Sequence, residues 1–347
     1  MKFRKTLALI LASVMLLSAL PLTVGAAKAE PIPEHFVKGV GPETDGYSID
    51  YRYFSPVKEN DTTKYPLVVW LHGMSDGSSD GVQITKTDIN NWTTDEYQSR
   101  FKDSGGAFIF VPRSLEEKGM YWDDELVYPL RAAIDDFIEK NKDNIDTTRI
   151  YVGGYSMGGK MTLKMAVAYP GMFAAIFPIC PAWIPGTDAT VYLKDTPIWV
   201  TSCAVDPLVN YYTYLMPTWQ NIVACSNMPE NCRLSTLAVS LKPNGMPIFN
   251  GHNAWTSVTF DLFTSCNRPY HAMKTQNGYG EKVELTYPDG MISWLSGFTS
   301  DFDGAKATDS GNSEVLGSDG RAKGLSAIRQ FVRNLFTYIF YMLDITK

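Results

Sequence analysis

The sequence predicts an α/β protein with a mostly parallel central sheet flanked by helices, and three features predict it. Short, largely apolar runs recur at Pro66–Leu71, Ala107–Val111, Arg149–Gly153 and Ile198–Thr201. Runs of this kind suit strands buried on both faces, as in a parallel sheet. Helical patterns lie between them. Asp124 to Lys140 puts Leu126, Leu130, Ala133, Ile134, Phe137 and Ile138 on one face, and Ser156 to Tyr169 does the same with Met157, Met161, Leu163, Met165 and Val167 before Pro170 stops it. Strands alternating with helices make βαβ units, whose strands run parallel. The third feature is the junction Gly154-Tyr155-Ser156-Met157-Gly158, which follows a buried run and opens a helix.

The remaining segments follow in chain order. Lys2, Arg4 and Lys5 form a charged start, an apolar stretch runs from about Leu7 to Leu22, and Ala27-Lys28-Ala29 is a small-x-small site. Residues 1–29 therefore read as a secretory signal peptide, and the apolar run is short for a membrane anchor. Residues 30–46 carry Pro31, Pro33, Gly39, Gly41 and Pro42 and read as irregular, while Tyr47 to Phe54 alternates like a strand. The main globular domain is expected over 30–298. Residues 299–320, rich in Ser, Gly and Asp, read as a flexible linker. Residues 321–347 read as an amphipathic C-terminal helix, with Leu325, Ile328, Phe331, Val332, Leu335, Phe336, Ile339, Phe340 and Leu343 on one half of its circumference.

Composition narrows the function. The chain has 347 residues, 45% hydrophobic and 20% charged, with a formal net charge of -6. That is the profile of an ordinary globular protein able to build its own core. Without residues 1–29 the balance is 27 basic residues against 37 acidic ones, or -10. Nucleic acid is disfavoured as a partner, because phosphate binding needs a basic face. No zinc-type Cys/His spacing is present, and nothing points to a metal or organic cofactor. Of five cysteines, Cys225 and Cys232 could close a short loop, Cys180 and Cys203 sit in apolar runs that suit free buried thiols, and Cys266 completes the odd count.

The junction at Ser156 carries the chemistry. A sharp strand-to-helix turn holds a nucleophile in a strained backbone conformation clear of the sheet, and small neighbours let the turn close. The bland alternative is a glycine-rich turn with an incidental serine. A serine hydroxyl needs a base against it, and there are four histidines: His35, His72, His252 and His271. His35 lies in the irregular segment. His72, in Leu71-His72-Gly73-Met74, follows the first core strand, where an oxyanion-binding loop belongs. The backbone N–H groups of Gly73 or Met74, with that of Met157, are the expected oxyanion hole. His252, in Asn250-Gly251-His252-Asn253-Ala254-Trp255, is favoured as base over His271, which lacks a clear strand before it. The carboxylate that orients the base is expected between Ser156 and His252 and after a strand. Asp206 in Val205-Asp206-Pro207 fits that place. Asp188 lies in a loop, and Asp195 precedes its strand. Asp-Pro also suits a helix start, so a capping role competes for Asp206.

In order, Leu71-His72-Gly73, the Ser156 turn, Val205-Asp206-Pro207-Leu208-Val209 and Gly251-His252-Asn253-Ala254-Trp255 resemble the landmarks of the α/β-hydrolase superfamily. Within it the chain is most similar to secreted polyhydroxybutyrate-depolymerase-like and feruloyl- or acetylxylan-type esterases, and it shares the same marks with prolyl-oligopeptidase-type peptidases. The resemblance spans about residues 47–298. It implies a catalytic triad of Ser156, Asp206 and His252, with an oxyanion hole from Gly73, Met74 and Met157. Lys160, just beyond Gly158-Gly159, departs from the small residue usual there. The expected function is a secreted or cell-envelope-associated serine hydrolase acting on a small-molecule or polymer-linked ester. A serine peptidase and a non-catalytic binding protein on the same fold are the alternatives. Trp122, Tyr155 and Trp255 are expected to contact substrate. Aromatic residues in Ser75–Tyr97 (Trp92, Tyr97) and Asn210–Gln220 (Tyr211, Tyr212, Tyr214, Trp219) could also stack on rings or else pack over the helices below. The C-terminal helix could lie on an anionic membrane surface, or dock on the enzyme or a partner.

Overall fold

A computed structural model describes residues 31–306, apart from 243, 245, 249, 264–272 and 287–289, together with Leu316. Eleven strands are described: β1 (Val37–Val40), β2 (Asp50–Phe54), β3 (Tyr65–Leu71), β4 (Phe108–Pro112), β5 (Ile145–Tyr155), β6 (Ala175–Ile179), β7 (Ile198–Cys203), β8 (Cys232–Leu237), β9 (Ser240–Leu241), β10 (Pro247–Ile248) and β11 (Met273–Asn277). Nine of them form one sheet in the order β1-β2-β4-β3-β5-β6-β7-β8-β11, and β9 and β10 make a separate hairpin. Every pair from β4 through β3, β5, β6 and β7 to β8 is parallel. The flanking pairs β1–β2, β2–β4 and β8–β11 are antiparallel. The expectation of a mostly parallel α/β sheet is met.

The apolar runs have the cause expected of them. In β3, Leu67, Val69 and Leu71 face one core and Val68 and Trp70 the other. In β5, Ile150 and Val152 face the first and Tyr151 and Tyr155 the second. A strand covered on both faces has no solvent side, so its alternation disappears. Helices α1 (Val127–Lys140) and α2 (Met157–Ala168) supply Leu130, Ala133, Ile134, Phe137, Met161, Leu163 and Met165 to the first core. A third helix, α3 (Met216–Cys225), adds Trp219 and Ile222. The second core is closed by Ile84, Trp92, Val258, Met291, Ile292 and Leu295.

The boundaries differ from expectation in four places. The segment 30–46 contains the edge strand β1, paired along its length with β2. The third apolar run extends at both ends into an eleven-residue strand. The helix expected from Asp124 begins as a 3-10 turn, Asp124–Leu126, and becomes α-helical at Val127. Finally, residues 299–306 are bound to the domain rather than flexible. The Ser300 N–H donates to the Thr148 carbonyl at 2.8 Å, Arg131 donates to the Ala305 carbonyl, and the Arg131 guanidinium lies 5.3 Å from the Phe302 ring. A composition rich in polar residues hid one aromatic anchor and its cation. Leu316 is also buried, and its carbonyl accepts from Lys164 Nζ at 3.1 Å. The expected signal peptide, the rest of the linker and the C-terminal helix lie outside the described residues. Among the described residues, no helix is long and apolar enough to cross a membrane.

Contact between α2 and the central strands positions everything that follows. Gly154 pairs with Leu71 across β5 and β3, and Gly158 sits on the same carbonyl one helical turn later. A Cβ at Gly154 would lie 2.3 Å from the Leu71 oxygen, and one at Gly158 2.1 Å from it. Backbone cannot yield to that as a flexible side chain can. Gly158→Ala is therefore expected to cost about 1–3 kcal/mol through forced displacement of α2. Thermal unfolding should show a melting temperature lowered by several degrees.

Candidate active site

The sequence-predicted residues converge on the carboxyl edge of the parallel strands. Ser156 directly follows β5. It has φ 57° and ψ -115°, a left-handed conformation that a non-glycine residue holds only at a cost of about 1–3 kcal/mol. Three backbone bonds over-determine it. Its N–H donates to the Ile179 carbonyl at 2.9 Å, and its carbonyl accepts from Lys160 at 2.9 Å and Ala182 at 3.1 Å. Ser156 thus caps α2 and stands beside that helix's positive end.

Asp206 follows β7 and is fully buried. Its Oδ1 accepts from the N–H groups of Leu208 at 2.8 Å and Val209 at 2.9 Å, and its Oδ2 lies 2.8 Å from His252 Nδ1. Asp206 is therefore both a local cap and a histidine partner. A carboxylate at Nδ1 sets the imidazole with its proton there, leaving Nε2 as the acceptor. The Asn250 side chain accepts from the His252 N–H at 3.0 Å and fixes the loop. Burial of His252 works against its protonation, but the neighbouring Cys180 sulfur and the Asp206 carboxylate oppose burial and prevail, so its pKa is raised. Burial pushes the Cys180 thiol up as well. Among the described residues, Cys180, Asp206 and His252 are the one group of three possible metal ligands, with ligand atoms within 4.8 Å of one another. Two of those three are already spent on each other.

The other histidines stand elsewhere. His72 is fully buried, with Nδ1 donating to the Gly73 carbonyl at 2.7 Å and Nε2 accepting from the Ser114 N–H at 3.1 Å. Burial, with Arg113 nearby, lowers its pKa to about 4. It is a neutral strut beneath the loop. His35 is exposed and bonded to Asn90 and Thr93. His271 lies outside the described residues. Asp188 is exposed, and Asp195, which precedes β7, bonds Asn227 at 2.7 Å.

Ser156 and His252 both line a cleft of about 780 Å³, with Met74, Met157, Lys160, Tyr155 and Trp255. No hydrogen bond among the described residues takes up the backbone N–H of Gly73, Met74 or Met157. Tyr155 and Trp255 stack with ring centroids 4.3 Å apart. Trp122 corrects an expectation. It is fully buried, its Nε1 donates to the His72 carbonyl at 2.9 Å, and it supports the loop without reaching the cleft. Trp92 and Trp219 are likewise core residues, whereas Tyr214 lines the cleft. Lys160 also lines it, 3.5 Å from Asp123. Sequence reasoning missed Asp76, a buried cleft residue that accepts from the Tyr155 hydroxyl and whose carboxyl burial pushes up to about 6. Only its place three residues beyond Gly73 hinted at it. Cys180, Cys203, Cys225 and Cys232 are all free thiols, and Cys266 is outside the described residues.

Strand order, strained serine and buried acid–histidine pair are those of the α/β-hydrolase fold. The chain belongs to the esterase family, whose model, Esterase, matches residues 47–307. No curated protein matches it. Among solved structures, a thermostable esterase is 28% identical, with a TM-score of 0.53 over 67% of this chain and 61% of that one. This chain thus matches less than two thirds of that protein's length. Thermogutta terrifontis esterase 2 phosphonylated by sarin is 11% identical, with a TM-score of 0.50 over 69% of this chain and 96% of that one. The acylaminoacyl peptidase of Pyrococcus horikoshii is 14% identical, with a TM-score of 0.44 over 66% and 40%.

The His72 environment makes a stability prediction. Its folded pKa, about 4, lies below the ordinary value of 6.5. The unfolded chain therefore takes up a proton first as pH falls. The contribution is intact above pH 6.5 and is lost as pH drops towards 4, by up to about 3 kcal/mol. Thermal melts across this range should show a steeper acid loss for the wild type than for His72→Gln.

Proposed function

We propose that the protein hydrolyses carboxylic esters through an acyl-serine intermediate on Ser156, with His252 as base and Asp206 as its orienting carboxylate. The observation that carries this reading is the buried 2.8 Å Asp206–His252 contact, delivered to the same cleft as a serine in a strained turn. Membership of the esterase family supports it. In the forward step His252 Nε2 takes the hydroxyl proton as Ser156 Oγ bonds to the acyl carbon. The carbonyl electron pair moves onto oxygen, where the free N–H groups of Met157 and of Met74 or Gly73 receive it. Collapse expels the alkoxide, which takes the proton back from the imidazolium. Water then repeats the sequence and releases the acid.

The cleft accepts a small ester or one end of a polymer-linked one, with the Tyr155–Trp255 pair as an apolar wall. We further propose export through residues 1–29 and contact of residues 321–347 with an anionic membrane surface. A version truncated after residue 320 should lose partitioning to anionic vesicles; equal partitioning removes the membrane role.

Short-chain p-nitrophenyl esters, with peptide amides in parallel, test the reaction. Ser156→Ala should reduce ester turnover on the order of a thousandfold or more, and Asp206→Asn by roughly 10⁴-fold. Because the base works only when neutral and its pKa is raised, kcat/KM should fall as pH drops through a value above the ordinary 6.5 of histidine. No turnover of either substrate class by the wild type supports a binding protein instead.

A further inference from the structure

Tyr155 precedes the nucleophile, yet its side chain serves two other segments. Its ring packs so closely on Gly73 that a Cβ there would lie 2.5 Å from Cε2. Its hydroxyl donates to Asp76 Oδ2. Gly73 and Asp76 are the two ends of one tight turn, in which the Asp76 N–H points to the Gly73 carbonyl at 3.4 Å and Ser75 has φ 72°. Met74, whose N–H, like that of Gly73, is an expected oxyanion donor, lies between those ends and is exposed. Further ties also hold the turn: the Ser75 N–H donates to Glu116 Oε1 at 2.9 Å, the Ser75 carbonyl accepts from Ser78 Oγ at 3.0 Å, and the Gly73 carbonyl accepts from His72 Nδ1 at 2.7 Å.

We propose that Asp76 is a positioning residue of the oxyanion-binding turn, holding Met74 in place by anchoring the turn to the Tyr155 hydroxyl. The inference rests on the ester-hydrolase reading of the site. Tyr155 and Asp76 are both buried, so water competes poorly for the bond, and a phenol donating to a carboxylate makes a charge-assisted bond. At neutral pH the carboxyl is the acceptor the bond requires, although burial, opposed by the positive Lys86 and aided by the negative Glu116, pushes it up to about 6. The ring is also stacked on Trp255, three residues after His252. One tyrosine thus references the oxyanion turn to the nucleophile and to the loop of the base. A donor displaced by about 1 Å from a developing charge costs up to about 100-fold in rate.

The test compares Asp76→Ala, Asp76→Asn, Tyr155→Phe and the Asp76→Ala/Tyr155→Phe double variant on p-nitrophenyl acetate. Asp76→Ala should lower kcat by roughly 10- to 100-fold while KM changes by less than about twofold. Binding of a trifluoromethyl ketone, which places an oxyanion in the hole, should weaken by the same factor as kcat/KM. Asp76→Asn keeps an acceptor oxygen and should recover most of the rate. The double variant should be no slower than the slower single one. Tyr155→Phe keeps the ring and its packing, so it tests the bond even if Asp76→Ala does not fold. Wild-type kcat in Tyr155→Phe, or losses that multiply in the double variant, overturn the proposal. Labelling of wild-type Ser156 by a phosphonate reports separately on the hydrolase reading, and its absence would sink that reading instead.

Discussion

The Leu71 carbonyl pressed between Gly154 and Gly158 is the contact on which the site depends. It brings the end of β3, the end of β5 and the start of α2 within backbone distance of one another. The chain can then reverse at Ser156 only through the left-handed conformation seen there. The strain of that conformation is offset by three backbone hydrogen bonds and by the apolar face that α2 buries against β3 and β5. The same contact sets the end of β3, and therefore the start of the turn that carries Gly73 and Met74. The proposed nucleophile and oxyanion donors are placed by one close packing of backbone on backbone, which side-chain flexibility cannot loosen.

Charge inside the site is handled by saturation. A buried carboxylate is costly unless its lone pairs are engaged. Asp206 accepts from two backbone N–H groups on one oxygen and faces His252 with the other. Gly251 matters here too, because a Cβ on it would lie 2.7 Å from the Val205 carbonyl. The loop of the histidine is thereby seated directly on the loop of the acid. The stretch between β8 and His252 includes a two-strand hairpin, β9 and β10, so this seat, rather than a short connection, positions His252.

Periodicity and local motifs made the sheet legible in the sequence. The runs at 66–71 and 198–201 could be read because burial on both faces removes alternation, and the Ser156 turn because strand, glycine and helix signals adjoin. Asp206 and His252 could be placed by their order after strands. Contacts between distant segments had no such trace. Trp122 looked like a pocket residue, but it lies 50 positions from the His72 carbonyl it supports. Asp76 sat in a long polar stretch, and its partner is 79 residues away. The run 299–306 read as linker because the contribution of Phe302 depends on Arg131, which its own neighbours cannot reveal. The strand β6 passed unnoticed as well, although Ala175–Ile179 is wholly buried.

His72 and His252 show why residue type alone could not assign roles. Both are buried and both use Nδ1 for a short contact with an oxygen. For His72 that oxygen is a neutral carbonyl, Nε2 is occupied by the Ser114 N–H, and the nearest charge that matters is the positive Arg113. Desolvation outweighs the hydrogen bond to Gly73, and Arg113 adds to it, so the ring stays neutral. For His252 the oxygen belongs to a carboxylate, and the ring opens onto the cleft. The same desolvation is then outweighed, so the ring can accept a proton and hold it as imidazolium. What separates a structural strut from the proposed base is thus the charge of the partner at Nδ1 and the opening of the ring onto the cleft. Chain order located both histidines, but only the packing of Asp206 and Ser114 against them could set those two conditions.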